Sequence, residues 1–304
     1  MTKTPIIIDT DPGIDDAAAI TVALNDPKID VQLITTMAGN VPVEKTTKNA
    51  LNLVEFYRKD VEVARGAAQP LLRNYEDASY YHGESGMDGY EFPHHERKES
   101  DLHAVQAMKK VFDKSEEPIT LVAIGALTNV ALLLMEYPEV KKKIKEMVIM
   151  GGSLSSGNVN SAAEFNIYAD PHAAKIAFQS EIPIVMAGLD VTLKALLYPT
   201  SFEQLPSLGR TGNMLHGLFY HYRGGSPETG LQLHDVCTLF YILYPEKVET
   251  KDLFVEVATE GPAIGATIAD LHQRQQNQTN TKVCVDIDVD FFNEWFLDSI
   301  RTIG

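Results

Sequence analysis

Little in this chain of 304 residues offers a cross-link, a membrane anchor or a surface for polyanions. Its only cysteines, Cys237 and Cys284, lie in apolar surroundings without metal-ligand spacing. That excludes a disulfide framework or a cysteine zinc site and predicts reduced core residues of a cytoplasmic protein. No apolar run reaches the ~20 residues of a membrane span, and the opening MTKTP is read as leading into a strand, not a signal peptide. Lys and Arg number 26 against 42 Asp and Glu, for a net charge of −16. The longest basic block, Lys141-Lys142-Lys143, reads as a solvated helix face, so neither nucleic acid nor a membrane is an expected partner. There is no Ser/Gly/Pro-rich linker and no repeat, so residues 1–304 are expected to form a single domain. A hydrophobic content of 44% is ample for its core.

Strand and helix patterns alternate along the chain. Apolar runs ending in polar or glycine-rich residues predict strands over 29–37, 119–124, 147–150, 182–187, 253–257 and 282–289. Helices are expected over 43–58 and 290–300. The stretch 66–100 is long, polar and aperiodic, which inside a compact domain marks a functional loop or lid. This alternation predicts an α/β fold: an open, mostly parallel, Rossmann-like sheet with helices on both faces. Asp11, Asn40, Gly125 and Gly152 then fall on one rim of it.

The densest chemistry is near the start, in IIIDTDPGIDD. Asp9, Asp11, Asp15 and Asp16 gather where a buried strand turns through Pro12-Gly13 into a helix, the place where open α/β sheets bind ligands. Four carboxylates in so small a space repel one another unless a cation lies among them or some stay protonated. An all-oxygen donor set points to Ca²⁺ or Mg²⁺. Helix capping accounts for Asp15 and Asp16 at most and leaves Asp9 and Asp11 without a role.

Together with Gly125-Ala126-Leu127-Thr128-Asn129, Gly151-Gly152, Ala163-Glu164-Phe165-Asn166 and His234-Asp235, this motif resembles the inosine/uridine-preferring nucleoside hydrolases, in the family's motif order from about residue 5 to 300. The resemblance implies the nucleoside hydrolase fold. It implies Ca²⁺-dependent hydrolysis of the N-glycosidic bond of purine or pyrimidine ribonucleosides to ribose and free base, in nucleoside salvage. It assigns the metal to Asp11, Asp16, the Ile124 carbonyl and Asp235, with Asp11 also the general base. It gives Asp15 and Asn40 to the 2′/3′ side of ribose, Asn158, Glu164 and Asn166 to the 5′ side, and Met150 to the sugar wall. His234 is the candidate acid for the leaving base, and His82 lies on the loop that closes over it. The segment 216–222 is expected to wall the base pocket through Tyr220 or Tyr222. The family also implies a homodimer or homotetramer.

The chemistry suits these residues. Glycoside-type cleavage passes through an oxocarbenium-like state that needs an activated water on one side and help for the leaving group on the other. In an extended segment Glu164 and Asn166 would share a face. Asp170, before Pro171, reads instead as a helix cap. A haloacid-dehalogenase-type phosphatase also begins with a strand and Asp-x-Asp, but Pro12-Gly13 breaks that match. The expected site also holds no Arg or Lys for phosphate, which equally disfavours a phosphorylase. A non-catalytic nucleoside sensor is disfavoured by the intact Asp11, Asp16 and His234.

Overall fold

The architecture, in a computed structural model describing residues 3–272, 274 and 278–304, follows from how the first strand is buried. Met1 and Thr2, part of the expected lead-in, lie outside the described residues. In β1 (Thr4–Thr10), Ile6 and Ile8 enter one apolar cluster and Ile7 another. The strands β2 (Ile29–Thr36), β3 (Val63–Arg65), β4 (Ile119–Ala123), β5 (Ile144–Met150) and β6 (Ile184–Ala187) join it in a parallel sheet. Val122, Val148 and Val185 share the cluster of Ile6, while Leu121, Ile149 and Met186 share that of Ile7. Both faces of the sheet are therefore dry, as parallel strands require.

Helices cover both faces. One layer holds α1 (Ile14–Asn25), α2 (Val43–Phe56) and the later helices Gly209–His221, Val236–Leu243 and Val289–Ile303; the other holds Ala104–Lys114, Thr128–Glu136 and Pro171–Phe178. The α1 helix is buried on all sides from Ile14 to Leu24, and its Ala17, Ala18 and Ala19 are at most 1% exposed. Alanines at these positions let the helix lie close to the sheet. Phe112, Phe219, Phe240, Phe292 and Phe296 are fully buried, each contributing roughly 1.5–3 kcal/mol of transfer free energy.

Among the described residues the sheet has eight strands, in the order Val248–Leu253, Thr281–Ile287, β6, β5, β4, β1, β2, β3. Only Val248–Leu253 is antiparallel to its neighbour. The chain moves outward from β1 to β3, then returns to the other side of β1 for β4. That reversal opens a crevice at the carboxyl ends of β1 and β4. The expected α/β sheet is present, with differences at strand ends: the run expected over 182–187 begins at Ile184 and that over 147–150 already at Ile144. The run 253–257 is not one strand: it breaks at Phe254, Leu253 ending the edge strand and Val255–Val257 pairing with Thr267–Ala269 in a separate ribbon. The strand expected to reach residue 289 stops at Ile287, because Asp288 caps the final helix by accepting from the Phe291 amide at 3.1 Å. Segment 66–100 is largely irregular, with one short helix, Ser79–His82. Among the described residues no helix is long and apolar enough to cross a membrane.

Candidate active site

The turn from β1 into α1 sets the four motif aspartates at different depths. Asp9 is still in the strand and points into the sheet's far side, where its Oδ1 accepts from Thr35 Oγ1 (2.5 Å) and Asn129 Nδ2 (2.9 Å). Burial pushes its pKa up to about 7. Asp11 lies past the strand end and is fully buried. Its Oδ2 accepts from the Asn40 amide at 2.6 Å, while Oδ1, like Asp9 Oδ2, is buried without a hydrogen-bond partner among the described residues. Asp16 is held on both oxygens: Oδ1 by Thr10 Oγ1 (2.5 Å), Oδ2 by the Gly13 amide (2.9 Å) and Asn40 Nδ2 (3.1 Å). Gly13 has to be glycine, because a Cβ there would stand 2.6 Å from His82 Nδ1 and 2.8 Å from Asn40 Nδ2.

Asp235, at the start of the Val236–Leu243 helix, faces this motif from the other side. Asp15, Asp16 and Asp235 each offer a carboxylate oxygen, all within 4.8 Å of one another. Burial first, then mutual repulsion, raises Asp15 to about 8 and holds Asp11 and Asp235 well above the usual carboxylate range. Asp16 is raised too, chiefly by burial. Among the described residues lining the adjoining cavity there is no Lys or Arg. Buried like charges with an orphaned oxygen beside them make a donor set for a hard divalent cation. The Ile124 carbonyl lines the same cavity and accepts from Asn166 Nδ2 at 3.1 Å, which leaves a second lone pair free. Beside it, a Cβ on Gly125 would collide with the Asp11 carboxylate.

The cavity holds about 290 Å³, at the small end of ligand pockets, roughly 300–1,000 Å³. It brings Asp15, Asn40, His82, Ile124, Met150, Asn158, Glu164, Asn166, His234 and Asp235 together. Asp11 and Asp16 lie behind its wall. A larger groove of about 790 Å³ opens at the amino ends of β6 and Thr281–Ile287. No cluster of three metal-ligating side chains falls there among the described residues, so the chemistry lies in the smaller cavity.

Several side chains sit differently from expectation. Glu164 and Asn166 are not in an extended segment: Glu164 caps the short helix Phe165–Ala169. Its oxygens accept from the amides of Asn166 (2.9 Å), Ile167 (3.2 Å) and Gly152 (2.9 Å), and burial raises its pKa to about 7. Asn166 Nδ2 ties the Ile124 and Met150 carbonyls together, each at 3.1 Å. Asn158 Oδ1 accepts from the Phe165 amide at 2.9 Å. Asp170 caps Pro171–Phe178, as its place before Pro171 suggests. Asp15, assigned to ribose, belongs geometrically to the carboxylate trio.

His82 and His234 both line the cavity, and both are buried. His82 Nδ1 accepts from the Ile14 amide at 3.1 Å and lies 3.8 Å from Asp15 Oδ1. Its ring lies 5.4 Å from that of Tyr222, which donates its hydroxyl to Asp15. His234 has Thr192 Oγ1 at 2.8 Å from Nδ1 and Gln232 Oε1 at 3.2 Å from Nε2. Burial lowers His82 to about 3 and His234 to about 4, so both imidazoles are neutral at neutral pH. Of the segment 216–222, only Tyr222 lines the cavity; Tyr220 is 68% exposed and His216 stacks on Phe202.

Gln232, Tyr81, Leu189 and Leu193 also line the cavity and were not anticipated. Gln232 carries a usable signal: it stands two residues before His234 on an extended stretch, hence on the same face. Nothing local marks the two leucines.

The family described as inosine-uridine preferring nucleoside hydrolase matches residues 6–294. The non-specific ribonucleoside hydrolase RihC of Salmonella typhimurium is 52% identical over 291 residues, covering 95% of each chain. Among solved structures, the purine-preferring ribonucleoside hydrolase of Gardnerella vaginalis superimposes with a TM-score of 0.92 at 33% identity over 99% of both chains. A plant nucleoside hydrolase gives 0.89 at 32% identity, over 98% of this chain and 99% of that one.

Proposed function

The chain belongs to the inosine-uridine preferring nucleoside hydrolase family and is a ribonucleoside hydrolase, and we propose that it works with Ca²⁺ on both purine and pyrimidine ribonucleosides. The observation that carries this is Asp11 Oδ1, a buried carboxylate oxygen without a partner among the described residues, beside three clustered carboxylates. Asp11, Asp16, the Ile124 carbonyl and Asp235 would hold the cation, with Asp15 close enough to share it. When bound, such a cation neutralises the cluster, lowers the pKa of a water and orients ribose hydroxyls.

The side chains do the rest. Asp11 Oδ1 takes the proton of the attacking water, while Oδ2 stays anchored on the Asn40 amide. Asp15 and Asn40 accept and donate to the 2′ and 3′ hydroxyls. Glu164, fixed by three amides, and Asn158 and Asn166 bound the 5′ end, and Met150 packs on the sugar. The base lies toward His82, Tyr222 and His234, against Leu189 and Leu193. Since burial keeps His234 neutral, it serves the departing base by hydrogen bonding and not as a charged acid. Breadth across bases accords with the relative named non-specific at 52% identity. We place the enzyme in the cytoplasm, in nucleoside salvage, as one domain over residues 1–304 that assembles into a homodimer or homotetramer.

The test is ribose release from inosine, adenosine, uridine and cytidine in phosphate-free buffer, with and without a chelator, followed by Ca²⁺ or Mg²⁺ addition. Chelator-sensitive release from both base classes, restored best by Ca²⁺, is expected. Undiminished release in the chelator would overturn the metal assignment.

A further inference from the structure

The polar groups at the base end of the cavity form a chain with two readable directions. Thr192 ends the short helix Leu189–Thr192 after β6, Gln232 ends the strand Gly230–Gln232, and His234 follows two residues later. Leu231 pairs with Leu197, and the Leu233 amide donates to Ala195 O, so strand pairing holds Gln232 and His234 in place. A neutral imidazole has one donor and one acceptor nitrogen. With Thr192 Oγ1 at 2.8 Å and Gln232 at 3.2 Å, two arrangements fit the same positions. In the first, the Thr192 hydroxyl donates to Nδ1, Nε2–H donates to Gln232 Oε1, and the amide NH₂ is left for the cavity. In the second, every bond reverses: Nδ1–H donates to Thr192, the Gln232 NH₂ donates to Nε2, and Oε1 faces the cavity. A half-turn of the carboxamide and a shift of tautomer connect them, with no change of charge and no movement of backbone.

We propose that Thr192, His234 and Gln232 act as a reversible hydrogen-bond relay, and that Gln232 is the residue that lets one pocket accept both carbonyl-edged and amino-edged bases. The inference rests on the hydrolase reading of this cavity. A carbonyl edge, as in hypoxanthine or uracil, takes the donating amide. An amino edge, as in adenine or cytosine, takes the accepting one. In the first direction the Nε2–H is donated to Gln232 Oε1, and in the second Nε2 carries no hydrogen.

Gln232→Glu keeps the shape and, ionised, can only accept. Its kcat/KM should fall on inosine and uridine about tenfold further than on adenosine and cytidine, the size of one lost hydrogen bond. Gln232→Met, which neither donates nor accepts, should lower all four by similar factors, about tenfold each. Equal losses on both classes with Gln232→Glu, or values at the wild-type level with Gln232→Met, overturn the relay. If the glutamate variant does not assemble its site, shown by absent turnover of p-nitrophenyl riboside, the methionine variant decides. A wild-type protein that releases no ribose from any nucleoside fails the hydrolase reading itself, and the relay falls with it.

Discussion

The floor and the far wall of the cavity are built on opposite principles. The floor comes mostly from a single turn, residues 9–16, whose carboxylates are at most 6% exposed and tied down by Thr10, Gly13, Thr35, Asn40 and Asn129. The wall is assembled from His82, Tyr222 and the Gln232–His234 stretch, backed by Thr192, with Tyr81 and Leu193 each 43% exposed at its rim. The floor concentrates carboxylates in one buried turn; the wall offers neutral donors and acceptors from short elements distant in the chain. Bond cleavage needs the first arrangement, and discrimination among bases can vary only in the second.

The most damaging change should be in the floor. Asp11→Asn removes the proton acceptor while keeping the anchor on Asn40, and ribose release is expected to fall by about 10³-fold or more; a variant within tenfold of wild type would sink the mechanism. Asp235→Asn should uncouple stability from function. Removing one of the mutually repelling buried charges should raise the melting temperature of the metal-free protein, while the rise on adding Ca²⁺ shrinks. A lower metal-free melting temperature would mean that the cluster is not strained by its own charge.

Wall substitutions should sort by substrate. His234→Ala should slow inosine by about 10²-fold and p-nitrophenyl riboside far less, since that leaving group needs no proton; equal losses would remove His234 from leaving-group assistance. Tyr222→Phe removes the hydroxyl donated to Asp15 and should lower kcat/KM by about tenfold or less. Tyr220→Ala, on the exposed neighbour, should stay within about twofold. A larger loss at Tyr220 than at Tyr222 would reverse their placement.

How much of the site was legible follows from where its contacts lie in the chain. The IIIDTDPGIDD motif could be read because strand, turn and helix are local, and placing Asp9, Asp11, Asp15 and Asp16 needs no distant partner. Even there, only the fold separates Asp9, whose Oδ1 is taken by Thr35 and Asn129 on the Ile7 side of the sheet, from Asp11, which lies beside Asn40 and the Asp15 and Asp16 carboxylates. Spacing misled at Glu164, because a glutamate that caps a helix and one in an extended run look alike until the Gly152 amide arrives to bind it. It could not choose between Tyr220 and Tyr222, since the end of the Gly209–His221 helix decides which ring turns inward.

By itself, then, the sequence determined the alternation of buried strands and helices, the rim that carries the polar residues, and the acidic turn, all of which follow from periodicity and short-range chain geometry. The tertiary structure alone decided that Asp15 joins Asp16 and Asp235 in one carboxylate trio, that His82 and His234 are kept neutral by burial, and that Gln232 meets Thr192 through an imidazole. Those outcomes depend on desolvation and on contacts between segments 40 to more than 200 residues apart, which no local pattern encodes.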